Sequence, residues 1–195
     1  MKHHRKLTPS EITLAKTVFG NSIDYGQVII SAGKSVFLQP ENYAMTVSNN
    51  IYMDNRYRDD YAKQDDLKLR ILFIHELVHV WQYQNKIYNP LVAAAGLALK
   101  HKFNYRGKAY DYLLEKGKDL MAYGLEEQAG IIEGYFAAKL LGRPDLVAHC
   151  ENKCSDGERL ALLEDALTKF IENPAYGRRS SFPSLFNKPP NPPKS

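Results

Sequence analysis

The sequence has little that would cross-link the chain or carry it into a bilayer. Only two of its 195 residues are cysteine, Cys150 and Cys154, so a disulfide framework is excluded and the pair reads as free thiols or a small loop bridge. His149 adds a third metal-binding side chain beside them, but His149-Cys150-x-x-x-Cys154 lacks the paired spacing of a zinc ribbon. No run approaches about eighteen consecutive apolar residues. The longest stretches, Leu69–Trp81 and Leu91–Leu99, are interrupted by His75, Glu76 and His79 or are too short, so no membrane span is expected. The basic start, Met1 to Lys6, runs into Thr8-Pro9-Ser10-Glu11 instead of an apolar core with a small-residue cleavage site. The chain is therefore expected to be cytoplasmic as synthesised, without a secretory signal.

Charge of one sign is also scarce in the body of the chain. The net charge is +4; residues 1–10 carry +3 and residues 173–195 carry +4, which leaves −3 between them. A basic excess confined to the ends suits flexible arms better than a nucleic-acid groove, and no recognition motif accompanies it. No nucleic-acid partner is expected. With 44% apolar and 25% charged residues, the composition is that of one globular domain with tails. Its expected organisation is a basic arm at 1–6, a domain at 7–172 and a proline-rich basic tail at 173–195. Five of the ten prolines fall in residues 181–195.

What the sequence does contain is periodic. Thr8 or Ser10, then Glu11 and an Ile12, Ala15, Val18, Phe19 stripe, predict a capped amphipathic helix ending at Gly20. Between Gln27 and Met53, the runs Val28–Ile30, Val36–Leu38, Ala44–Val47 and Ile51–Met53 alternate with turn residues and predict a small meandering sheet. After a charged stretch in which Asp65 or Asp66 can cap a helix, residues 67–82 are apolar nearly all round, as in a buried helix. Asn89-Pro90 is expected to break it. Further helices are predicted over Leu91–Leu99, Leu125–Leu141 and Gly157–Ile171, with irregular chain over Tyr105–Lys118.

The residues with chemistry lie inside the buried helix. His75-Glu76-Leu77-Val78-His79 is HExxH: residues four apart share a helix face, so both imidazoles can ligate one zinc ion (Zn2+), and Glu76 can act on a water at its open side. Shuffling this composition would produce the motif in about one chain in a hundred, but would not choose the core for it. Three ionisable side chains there are costly unless paired or bound to a metal. The alternative, two hydrogen-bonded core histidines with Glu76 paired to a basic residue such as Arg70, offers no partner for all three.

Two imidazoles leave a zinc ion short of a third protein ligand, and a carboxylate from a downstream helix is expected. Glu126, Glu127 and Glu133 compete. Glu126 and Glu133 share a face, and Ala129 and Gly130 follow Glu126 at +3 and +4, which lets that helix approach closely. Glu127 shares Gly130 but meets Ile131 at +4.

Three segments carry a family resemblance: LTPSEITLAKTVFG at 7–20, HELVHVWQYQ at 75–84 and YDYLLEKGKDLMAYGLEEQAGIIEGYF at 110–136. Across roughly residues 7–172 the chain resembles zincin-like, Vgr-related metallopeptidases encoded near bacterial contractile injection and type VI secretion systems. The family's HExxHVWQ and Glu-Gln-Gln-Ala-like helices map onto His75, Glu76, His79 and Glu126. The sequence departs from them at Glu127, where a Gln is usual, and at Gly134, where an acidic residue is usual.

The resemblance implies an α+β, zincin-like fold: a small N-terminal sheet packed on the HExxH helix, with a helical second half that supplies Glu126 as third ligand and Glu127 next in order. It implies a zinc metallopeptidase with Glu76 as catalytic base, acting on a peptide or protein substrate, with a secretion apparatus or an immunity protein as a further partner and delivery out of the cell. A toxin cleaving peptidoglycan amides, or an adaptor with a structural zinc, are the competing functions. A tyrosine could stabilise the oxyanion, and Tyr123 and Tyr135 stand nearest the ligand helix, but the sequence selects neither.

Overall fold

A buried ion pair assembles the N-terminal half. Glu11 is fully buried, and its two oxygens take both terminal nitrogens of Arg5, each at 2.7 Å. Glu11 also accepts the backbone N–H groups of Thr8 at 2.9 Å and Tyr61 at 2.8 Å. A carboxylate removed from water must be fully hydrogen-bonded, and satisfying this one draws three separate stretches of chain together. The computed structural model describes residues 3–34, 44–88 and 110–182. The predicted strand at 36–38, the predicted helix at 91–99 and the end beyond residue 182 lie outside them.

Helix α1 is Pro9–Phe19, opened by a Thr8/Glu11 capping box and closed at Gly20, whose φ of 52° suits glycine. Four strands follow the chain order β1 (His4–Lys6), β2 (Ile29–Ser31), β3 (Met45–Val47) and β4 (Asn50–Tyr52). They lie in the order β1-β2-β4-β3. β1 and β2 are antiparallel, β2 and β4 parallel, β4 and β3 antiparallel. The sheet is thus mixed instead of the expected meander. Ile30 and Ile51 are opposite each other in register and fully buried, so the two strands that carry these isoleucines sit in the centre and β3 is left at an edge. The basic start is not a free arm either: Arg5 is held by Glu11, and the residues around it pair with β2.

Helix α2, Leu67–Gln84, is capped by Asp66, which accepts from Lys68 N. It stops before the expected break at Asn89-Pro90. The Asn85 side chain donates to the Trp81 carbonyl at 2.9 Å, and Lys86 turns to a φ of 57°, which ends the helix locally. Helix α3, Leu125–Tyr135, continues through a wider π-type turn over Phe136–Leu140, and α4 is Asp156–Glu172, with a Ser155/Glu158 capping box. β3 and α3 pack on α2, and α4 packs on α3.

The chain after α4 is also not free. Trp81, fully buried, donates to the Pro174 carbonyl at 2.7 Å, and Arg178 Nε donates to Asn85 Oδ1 at 2.7 Å. Residues 174–180, expected in the tail, strap the end of α2 because they satisfy its last polar groups. Cys150 and Cys154 are free thiols, half-buried. Among the described residues no helix is long and apolar enough to cross a membrane.

Replacing Glu11 with Ala leaves the Arg5 guanidinium with only the Lys6 and Arg58 carbonyls and no counter-charge, and two N–H groups without their acceptor. It is expected to lower unfolding free energy by about 3–5 kcal/mol, read as a fall in the urea midpoint; an unchanged midpoint contradicts the anchoring role.

Candidate metal centre

The apolar surround of α2 is complete on most sides, so its polar residues have to find partners across the interface with α3. His75 is buried, its Nε2 lies 3.3 Å from His79 Nε2, and Glu126 Oε2 of α3 lies 3.6 Å from the first and 3.4 Å from the second. These three are the group of potential metal-binding side chains found among the described residues. Glu126 Oε2 is buried and has no hydrogen-bond partner there. Glu127 turns the other way: its carboxylate accepts from Gly124 N at 2.6 Å and caps α3.

Each imidazole is oriented from behind. His75 Nδ1 faces Glu133 Oε2 at 3.0 Å, and His79 Nδ1 faces the side-chain oxygen of Gln82 at 2.9 Å. A carboxylate or an amide oxygen can only accept, so both Nδ1 atoms donate, and it is in the neutral rings that both Nε2 lone pairs point into the cluster. Three acceptors then converge, and the cluster attracts positive charge. Burial alone pushes both imidazoles down, but Glu133 and Glu126 hold His75 well above the usual histidine range, and Glu126 raises His79. Burial pushes the Glu126 carboxyl up, and the two imidazoles more than reverse it, holding it far below the usual range.

Glu76, also buried, points to the sheet. Thr46 on edge strand β3 donates to its Oε2 at 2.6 Å. Arg70 is not its partner; that guanidinium donates to the Gln64 carbonyl at 2.7 Å. The predicted site residues His75, His79 and Glu126 are therefore brought together, with Glu76 one residue along the same helix. Glu133, ranked last as a ligand, stands behind His75. Thr46, Gln82 and Gln128 were missed. Gln82 had a signal, being three residues beyond His79 on one helix face, whereas Thr46 reaches Glu76 across 30 residues and had none.

The remaining histidines lie elsewhere: His3 contacts the Tyr57 hydroxyl, His4 contacts Ser31, and His149 contacts Asp111. His101 is outside the described residues. Tyr123 spends its hydroxyl accepting from Glu115 N at 3.1 Å, and Lys118 covers its ring. The tyrosine ring against His75 is Tyr110, 6.4 Å between centroids. Tyr88 is pushed up to about 12 by burial and by the nearby Tyr83 and Glu126.

No family model matches the chain. Over 137 residues, 69% of its length, it is 39% identical to the type VI secretion system spike protein VgrG2b of Pseudomonas aeruginosa, and the match spans 13% of that protein. It is also similar to the solved effector domain of P. aeruginosa VgrG2b, with a TM-score of 0.62 and 33% identity over 85% of this chain and 81% of that one.

The departure at position 134 has a packing cause. Tyr112, 1% exposed, crosses α3 at its two glycines and donates to the Gly130 carbonyl at 3.2 Å. A Cβ at Gly134 would lie 2.9 Å from the Tyr112 hydroxyl, and one at Gly130 would lie 2.8 Å from its ring. Gly134→Ala is expected to destabilise by about 1–3 kcal/mol despite alanine's better helix propensity. Adding Tyr112→Phe should restore part of the loss in thermal melts; a stabilised Gly134→Ala protein contradicts the contact.

Proposed function

The chain belongs to the family of the VgrG2b effector domain, and on that premise we propose that it is a zinc-dependent hydrolase of zincin type, a metallopeptidase that acts as a type VI secretion effector. The observation that carries the proposal is the triangle of lone-pair atoms, with edges of 3.3, 3.4 and 3.6 Å. A tetrahedral zinc with nitrogen and oxygen ligands at about 2.0–2.2 Å holds its donors about 3.3–3.5 Å apart. The residues therefore fit the ion in identity, spacing and tautomer, and the orphaned Glu126 Oε2 gains a partner. Among the described residues the donor set stops at three, the number that leaves a catalytic zinc an open position, whereas structural sites close with four.

Zinc held there supplies a Lewis acid for the scissile carbonyl and lowers the pKa of water toward about 7. His75, His79 and Glu126 would hold it, with His75 buried and the other two partly exposed at the open side. Glu76 is the base. Thr46 occupies its Oε2, so the proton is taken at Oε1 and returned to the leaving nitrogen. The substrate is a peptide bond in a protein or a peptidoglycan peptide, and the partner that delivers the chain is a secretion apparatus.

Three variants test this. The wild type is expected to hold one zinc by elemental analysis, and His79→Ala and Glu126→Ala to lose it. Glu76→Gln should retain zinc and fold but lose about 10²–10⁴ in hydrolysis of denatured casein or purified peptidoglycan. Retention of full activity in Glu76→Gln removes the base from the mechanism, and a wild type without zinc removes the metal.

A further inference from the structure

Gln82 and Gln128 are buried glutamines, 0% and 3% exposed, that no step of the chemistry above uses. Gln82 Nε2 lies 2.9 Å from the Leu125 carbonyl and 3.0 Å from Gln128 Oε1. Gln128 Nε2 in turn lies 2.9 Å from the Tyr123 carbonyl. Backbone carbonyls only accept, so the two ends of this chain are not interchangeable. The Tyr123 carbonyl requires the amide nitrogen of Gln128, which turns the Gln128 oxygen to Gln82. The Leu125 carbonyl independently requires the amide nitrogen of Gln82. Both anchors force the Gln82 oxygen onto His79, whose Nδ1 must then carry a proton, so that in the neutral ring Nε2 is the atom that offers its lone pair to the cluster.

Only a primary amide can accept from an imidazole on one side and donate to two oxygens on the other. A flipped Gln82 would face the Leu125 carbonyl with its own oxygen, and both would be buried. His75 has no such chain; a carboxylate, Glu133, stands behind it. The amide chain also ends on residues 123 and 125, the two sides of the α3 start, and Glu126 is the next residue.

We propose that Gln82 and Gln128 are positioning residues of the metal centre: together they fix the His79 tautomer and pin the start of α3 so that Glu126 meets the two imidazoles. The inference rests on the metal reading above and deepens it. Gln82 is the stronger of the pair because it touches His79 directly, while Gln128 acts through it.

The test uses the full chain, with zinc and cobalt(II) as probes. Zinc affinity is measured by chelator competition on variants whose far-ultraviolet circular dichroism is that of the wild type. Gln82→Met, of similar size but without either hydrogen-bonding function, is expected to bind zinc about 10–100-fold more weakly. Gln128→Met should lose less, since Gln82 keeps the Leu125 carbonyl. In the cobalt-loaded protein, proton NMR should show two exchangeable imidazole N–H signals, shifted by the metal, one each from His75 and His79. In Gln82→Met the His79 signal should disappear through exchange with water while the His75 signal remains, a change that a loss of general stability would not produce. Zinc affinity within about twofold of wild type, with both signals retained, overturns the proposal and leaves the metal reading intact. A wild type that binds neither metal overturns the metal reading itself. Should Gln82→Met not fold, Gln128→Met decides: weakened zinc binding supports the proposal, and unchanged binding overturns it.

Discussion

With both imidazoles neutral, three lone-pair-bearing atoms meet in the interior of this protein, and no other hydrogen-bond donor among the described residues lies between them. His75 Nε2, His79 Nε2 and Glu126 Oε2 stand 3.3–3.6 Å apart at the interface of α2 and α3. Acceptors crowded in a low-dielectric setting repel one another unless something positive joins them. The rest of the structure maintains that arrangement: α2 buries mostly apolar side chains on its other faces, α3 packs along it, and each imidazole is fixed from behind.

The two imidazoles are fixed in chemically different ways. Behind His75 is a carboxylate, which adds negative charge and raises the ligand's basicity. Behind His79 is a neutral amide, which sets direction without adding charge. Two such supports would let one centre hold a cation while limiting the total charge buried around it. Glu126 supplies the third donor from a helix whose opening turn is fixed by Glu127, so the two adjacent glutamates divide the work: one caps the helix and the other faces the centre.

The chemistry-bearing helix was legible in the sequence because its signals are local. HExxH spacing, an all-round apolar surround and the Asp66 cap all lie within one continuous segment. So was α1, from its capping box; Glu126 does turn to the two histidines, but not for the reason read from the small residues after it, because Gly130 faces Tyr112 instead of α2. What could not be read depends on partners distant in sequence. Strand β1 has no strand pattern of its own and exists because Arg5 reaches Glu11, which in turn binds Tyr61. The parallel pairing of β2 with β4 replaced an expected meander for the same kind of reason. Gly134 looked like the loss of an acidic neighbour until Tyr112 was found in the space beside it. Residues 174–180 read as tail because proline and arginine are common in tails, yet Trp81 and Asn85 needed the partners those residues supply.

The central claim is a metal centre made of two imidazoles, one carboxylate and an open position, and it is tested most directly by X-ray absorption at the zinc edge of the purified, zinc-loaded protein. The account predicts one zinc with only nitrogen and oxygen neighbours at about 2.0–2.2 Å, an imidazole scattering pattern for two of them, and four ligands in all. A sulfur shell at about 2.3 Å would instead place the ion at Cys150 or Cys154 and contradict the account.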